Sequence, residues 1–182
     1  MPRLTVPDVR FRASFLEAMA EYAAEEESPG NTRSRELAEY GASWHEPAGF
    51  ARYVAAVREE EREDGRRPSG FVPGSWFWYV DGDTFIGRIQ VRHRLTPHLR
   101  DFGGHIGYGV RPSARRRGHA TAMLRAVLPY ARTLGVDPAL VTCDTVNTAS
   151  RKVIEACGGV LEDERDGKLR YWVPAGRIQS GS

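Results

Sequence analysis

The sequence predicts an α/β protein in which helices cover a sheet containing antiparallel hairpins. Two observations lead there. Apolar residues recur at helical spacing up to about residue 65 and at strand spacing from residue 75. The turn signals Asp81-Gly82-Asp83 and Asp166-Gly167 each separate two apolar runs, as a hairpin requires. Read in order, the elements are strand, two helices, three strands, helix, strand, helix and two strands, the pattern of a mixed sheet with helices on its faces.

Leu4 to Val6 predicts a short strand, and Phe11, Phe15, Met19 and Tyr22 mark the first helix. The polar stretch Ser28 to Gly41 reads as a loop or partial turn. Phe50, Val54 and Val57 mark a second amphipathic helix ending near Asp64-Gly65; its start lies either at a capping box of Ser43 with Glu46 or at a later first turn on Pro47. Residues 66–74, with two prolines and two glycines, form a connector. Ser75 to Val80 and Thr84 to Arg94 then make a hairpin, the second run alternating through Phe85, Ile89 and Val91. A strand is expected at His105 to Val110. Ala120, Leu124, Val127, Ala131 and Leu134 form a helical stripe that stops at Gly135. Ala139 to Thr145 reads as a buried strand, Val153, Ile154 and Cys157 as a short helix, and Gly159 to Glu164 with Leu169 to Val173 as a terminal hairpin.

The 182 residues suit one domain with a proper core. A hydrophobic share of 41% beside 27% charged residues is that of a soluble globular chain. No apolar run reaches the roughly 18 residues of a membrane helix, and the amino terminus lacks a signal peptide's apolar stretch, so a cytoplasmic protein is expected. Cys143 and Cys157 are the only cysteines, and no Cys-x-x-Cys or His-x-x-x-His spacing occurs, so neither a disulfide framework nor a metal is expected. A net charge of +2 argues against nucleic-acid binding. Acidic residues crowd Glu25 to Glu27 and Glu59 to Asp64, whereas Arg88, Arg92, Arg94, Arg100, Arg111 and Arg115 to Arg117 gather in the middle. That distribution fits either a small anionic ligand or ordinary solvated charge.

The most informative segment runs from Gly107 to Ala120. Two glycines inside a strand, Gly107 and Gly109, weaken it and point to a bulge or to a ligand approaching the backbone. A gap in the ladder there leaves amides free to bond a ligand or an oxyanion. The arginine-rich turn that follows contains Gly118 and opens a helix, whose unpaired first amides and dipole suit a phosphate.

Arg115-x-x-Gly118-x-Ala120 resembles the [Gln/Arg]-x-x-Gly-x-[Gly/Ala] signature of the GNAT acetyltransferase superfamily, and Asn147-Thr148-Ala149-Ser150 is similar to its Asn-x-x-[Ser/Ala] segment. Gly-Gly-His-Ile-Gly-Tyr at 103–108, Val-Thr-Cys-Asp at 141–144 and Ser-Arg-Lys-Val-Ile-Glu at 150–155 resemble a bacterial subgroup of unassigned substrate. The resemblance implies a mostly antiparallel twisted sheet of about seven strands with splayed central strands, flanked by about four helices. It implies a helical acceptor side over about 1–65 and an acyl-CoA-binding core over about 75–173. It also implies acetyl-CoA as cosubstrate, held by Tyr108, Gly109 and Val110, by the loop Arg115, Arg116, Arg117, Gly118, His119, Ala120 and Thr121, and by Asn147 and Ser150. Asn147 is equally suited to cap the following helix. A small-molecule amine is the expected acceptor, with a protein amino terminus as the alternative, and a homodimer follows by family analogy.

Transfer to an amine with a pKa of about 10 calls for a base. The family's glutamate position here holds Thr142. His105, on the splayed strand, and Asp144, at the end of the neighbouring strand, are the expected catalytic pair, acting directly or through water; His93 is a third candidate. The tyrosine that many members place seven residues after the asparagine is here Ile154, so no catalytic acid is assigned. Cys143 reads as an inert strand residue. The absent tyrosine and glutamate keep open a second class, a non-catalytic CoA-binding module.

Overall fold

The computed structural model describes residues 1–25 and 32–176, with the side chains of 32–34 left aside. Seven strands and six α-helices lie among the described residues: β1 (Arg3–Thr5), α1 (Arg12–Ala23), α2 (Thr32–Tyr40), α3 (Pro47–Glu59), β2 (Gly74–Asp81), β3 (Thr84–Arg92), α4 (Pro97–Asp101), β4 (Ile106–Val110), α5 (His119–Thr133), β5 (Ala139–Asp144), α6 (Thr148–Ala156), β6 (Val160–Arg165) and β7 (Lys168–Val173). They form two antiparallel sheets, β1-β2-β3-β4 and β5-β7-β6.

Strand alternation divides the first sheet into two unlike faces. Trp76 and Trp78 of β2 sit opposite Gln90 and Arg88 of β3, so these four share a face. That face packs on an aromatic cluster from α1, α3 and the segment between α2 and α3, in which Phe15 stacks on Trp78 at 5.2 Å and meets Trp44 edge-on at the same separation. The opposite face, with Ile89 and Val91, packs on Met123, Leu124 and Val127 of α5 in an aliphatic core that continues to Val141 of β5 and Ile154 of α6. Trp44 and Tyr53 are buried in the aromatic cluster. Gly87 is required where β3 and β4 meet: a Cβ there would stand 2.4 Å from the Gly109 carbonyl oxygen.

The two sheets are bridged by main-chain groups at the start of β4. The His105 amide donates to the Leu140 carbonyl at 2.7 Å, and the Leu140 amide donates to His105 Nδ1 at 2.9 Å. Among the described residues, no ladder joins β4 to β5 beyond this bridge.

Two helices were not foreseen, and one ends early. The stretch expected to be a loop at Ser28 to Gly41 contains α2; Ser28, together with Glu26 and Glu27 of the acidic run, lies outside the described residues. This helix lacks an apolar stripe because a charge anchors it: Glu36 forms a buried ion pair with Arg88 on β3, and exposed Leu37 adds little. The short helix α4 is signalled by Thr96-Pro97, with the Thr96 hydroxyl accepting from the Leu99 amide. At α3, Pro47 takes the first turn after Glu46, and Ser43 bonds back to the Tyr40 carbonyl, so the capping box is not formed. The helix stops at Glu59; the next residue, Glu60, accepts from Trp76 Nε1 at 2.8 Å through its carboxylate and from the Gly74 amide through its carbonyl.

Removing one partner of the Arg88–Glu36 pair leaves a buried charge uncompensated. Glu36→Gln is expected to cost about 3–5 kcal/mol of unfolding free energy, with much of the loss recovered in the double variant Glu36→Leu, Arg88→Met, as measured by urea denaturation.

Candidate functional site

A cavity of about 840 Å³ opens beside β4, bounded by the turn before α5, by the start of α6 and by the Arg88–Gln90–Arg92 side of β3. Local sequence explains its shape. Gly107 and Gly109 lie opposite Gln90 and Arg88, so the missing side chains are those that would fill this space. Cβ atoms at these positions would come only to 3.6 Å from Arg92 Nη2 and from Tyr22 Oη, so the glycines leave room and relieve no clash.

The β4 amides are sorted by the ladder. Arg92 N donates to the His105 carbonyl and Arg111 N to the Ile86 carbonyl, so the odd-numbered residues of β4 face β3. Tyr108 and Val110 therefore direct their main-chain groups away from β3, and the Val110 carbonyl accepts from Arg115 Nε at 3.1 Å on that side. The β3–β4 ladder runs through Gly107 and Gly109 without the expected bulge; these groups are left open because β4 is the edge of its sheet.

At the far end of β4 the chain turns through Arg116, at φ 63°, and Gly118, at φ 79°, into α5. The first intrahelical bond is Ala122 N to Gly118 O, so the amides of His119, Ala120 and Thr121 have no partner within the helix. Gly118 and these three residues line the cavity and offer it a helix N-terminus suited to an anion. The arginines differ from one another. Arg115 lines the cavity, but its guanidinium is clamped bidentately by Glu25 at 2.5 and 2.9 Å; it braces the loop and brings no unbalanced charge. Arg116 lines the cavity with its side chain exposed, whereas Arg117 is exposed and lies off the wall.

At α6, Asn147 Oδ1 accepts from the Ser150 amide at 3.0 Å, so the capping part is present while the residue also lines the cavity. Ser150 Oγ lies 2.8 Å from Tyr108 Oη, a hydroxyl pair on the wall. Burial holds the Tyr108 phenol well above its ordinary range, with the Ser150 hydrogen bond opposing, so it stays protonated near neutrality. Ile154, where the family tyrosine was sought, is fully buried in the aliphatic core.

The expected base residues lie elsewhere. Neither His105 nor Asp144 lines the cavity. His105 ties the two sheets through Nδ1, which leaves the ring proton on Nε2; burial first, then Arg100 and Arg92, push its pKa down to about 4, so it is a poor proton acceptor at neutral pH. Asp144 points outward, ion-paired with Lys168. His93 faces α5, with Nε2 2.8 Å from Ser75 Oγ, which in turn meets Tyr130 Oη at 2.7 Å. Burial raises the Cys143 thiol pKa, consistent with an inert residue.

Sequence reading missed the other wall. Tyr22, Trp76 and Gln90 line the cavity beside Arg88 and Arg92. The signal was present in the even spacing of residues 88, 90 and 92 on one strand face, but strand polarity alone does not tell a cavity from solvent. Among the described residues no carboxylate lines the cavity, and no group of three His, Cys, Asp or Glu could hold a metal ion. No described helix is long and apolar enough to cross a membrane.

The sequence matches the acetyltransferase (GNAT) domain family over residues 20–160. No curated protein matches it. Among solved structures, the fold is similar to that of Mycobacterium smegmatis RimJ in complex with CoA-disulfide, at 22% identity and a TM-score of 0.65, covering 96% of this chain and 82% of that one. It is similar to the ribosomal-protein-S5-alanine acetyltransferase of Vibrio fischeri, at 15% identity and a TM-score of 0.63, covering 96% and 92%. It is also similar to a chimera of the Vibrio cholerae spermidine N-acetyltransferase SpeG with hSSAT, at 15% identity and a TM-score of 0.54, covering 96% and 95%.

The structural part assigned to His105 has a pH signature. Its folded pKa of about 4 lies below the ordinary 6.5, so between these values the unfolded chain binds the extra proton and stability falls as pH drops. His105→Gln is expected to be less stable than the parent at pH 7 and to lose less on going from pH 6.5 to 4, as read from urea midpoints. His93, shifted in the same direction by burial, leaves a residual slope in the variant.

Proposed function

This chain belongs to the GNAT acetyltransferase family, and on that premise we propose that it transfers an acetyl group from acetyl-CoA to a primary amine by direct attack. The observation that carries the reading is one continuous cavity. It runs from the open amides at the start of α5, along the outward-facing amides of β4, to the Tyr108–Ser150 hydroxyl pair.

The residues present fit the cosubstrate. The amides of Gly118 to Thr121, with Arg116, would hold the pyrophosphate; Tyr108 and Val110 on β4, with Asn147, would hold the pantetheine arm. Bound acetyl-CoA supplies an activated acyl carbon. The amides of Tyr108 and Val110 are aimed to stabilise negative charge on its carbonyl oxygen. The Tyr108–Ser150 pair keeps a proton at Tyr108 Oη and Ser150 Oγ for the departing thiolate. The acceptor enters from the side of Tyr22, Trp76 and Gln90, and holding both reactants in one cavity gives much of the acceleration. His105 and Asp144 have no part in these steps, since they lie off the wall; the amine attacks in its neutral form and passes its surplus proton to water in the open cavity as the carbon–sulfur bond breaks. The acceptor is a small-molecule amine in this reading, with a protein amino terminus as the alternative suggested by the ribosomal-protein acetyltransferase among the similar structures.

A second reading, a non-catalytic CoA-binding module, draws support from Ile154 at the position of the family tyrosine. Thiol release from acetyl-CoA, measured with a panel of small amines and peptide amino termini, separates the two: CoA binding without turnover on any acceptor would favour the module. Under the catalytic reading, Ser150→Ala and Tyr108→Phe are expected to lower kcat by about 100-fold while changing the Kd for CoA little, and the double variant to be no worse than the poorer single one.

A further inference from the structure

The β3 wall of the cavity carries a guanidinium without a carboxylate of its own. The buried arginines of the fold are matched: Arg88 by Glu36, Arg111 by Glu21 and Arg170 by Asp163. Arg92, the last residue of β3, forms no ion pair among the described residues. Its Nη1 donates to the Gly103 and Gly104 carbonyls, each at 3.1 Å. The carboxylate whose field reaches it, Glu60, is already bonded by Trp76 Nε1, Gln90 Nε2 and Arg35. Around this wall three guanidiniums, Arg35, Arg88 and Arg92, face two carboxylates, Glu36 and Glu60. Burial lowers the pKa of Arg92, the mark of a charge whose environment does not balance it.

The geometry also says where the missing anion would sit. Gly107 lies beside the guanidinium: a Cβ there would stand 3.6 Å from Arg92 Nη2 and 3.7 Å from Nη1, so the absent side chain leaves that edge open to the cavity. The cosubstrate's phosphates cannot supply the charge. Arg92 pairs with His105 at the start of β4, while the open amides of α5 lie beyond its end, roughly 15 Å away at about 3.3 Å per strand residue.

We infer that the acceptor is a small amine bearing an oxyanionic group, a carboxylate or a phosphate, which pairs with Arg92 while the amine faces the thioester. This rests on the acetyl-transfer reading for the amine's fate but not for the anion's binding. It excludes a polyamine, whose charge the arginines repel.

The test is calorimetric titration of the CoA-loaded protein with ω-amino acids and ω-aminoalkyl phosphates, against the matching carboxamides and amino alcohols, whose amines differ little in basicity. At least one anionic member is expected to bind tenfold or more tightly than its neutral partner; which series wins separates carboxylate from phosphate. Arg92→Gln is expected to bring that ratio close to one with the Kd for CoA unchanged, and Arg92→Lys to restore part of it. The inference is overturned if no anionic member binds, if neutral partners or spermidine bind as well or better, or if the preference survives in Arg92→Gln. Turnover measured in parallel keeps the two ideas apart: anion-selective binding without acetyl transfer sinks the proposed reaction and sustains the anion site.

Discussion

His105 commits both its amide and its ring nitrogen to Leu140, and among the described residues no ladder holds β4 against β5. A continuous sheet would have consumed the outward-facing groups of Tyr108 and Val110 in strand pairing. Joined only at its base, the sheet leaves them open, and the cavity lies along them. The neutral imidazole is suited to this joint because it accepts a main-chain bond without adding a charge to a half-buried seam beside Arg92 and Arg100.

The remaining parts of the cavity are braced from outside it. Glu25 clamps Arg115, which reaches the Val110 carbonyl and so ties the phosphate-type turn to the end of β4 and to the end of α1. Glu21 accepts from Arg111 and Ser113, and these bonds lower its pKa to about 2. The first helix and the residues just after it thereby hold the turn through Glu21 and Glu25, while the helix contributes Tyr22 to the wall. On the opposite wall the Arg88–Glu36 pair fixes α2 to β3. Side chains that look like ligand-binding charges in the sequence are, in three of these cases, already balanced by carboxylates on or beside helices.

Strands and the α5 helix were legible because their signals are local: alternation at 84–92, the Gly82 and Gly167 turns, and a stripe ending at Gly135. The α2 helix was not, because its anchor is an ion pair between residues 52 positions apart and it has no apolar period. The same distinction divides the site. The turn from Arg115 to Thr121 and the strand glycines could be read from their order along the chain. The Tyr108–Ser150 pair and the wall of Trp76, Gln90 and Arg92 depend on which strand faces which, and on register that no single segment encodes. His105 was singled out for the right reason, its place at the parting of the strands, but proximity to that parting gave it a structural bond instead of a proton to move.

The two unlike cores on either side of the first sheet have a further consequence. Aliphatic packing under α5 supports the turn at the cavity's phosphate-type end, and aromatic packing under α1 and α3 supports the wall of Trp76, Gln90 and Arg88, with only the sheet in common. Substitutions in one cluster make no direct contact with the other, and effects at such separated sites tend to add. A lineage can therefore redraw one wall of the cavity by altering one cluster while the turn at its other end is inherited intact, so that divergence on one side need not begin with loss of the other.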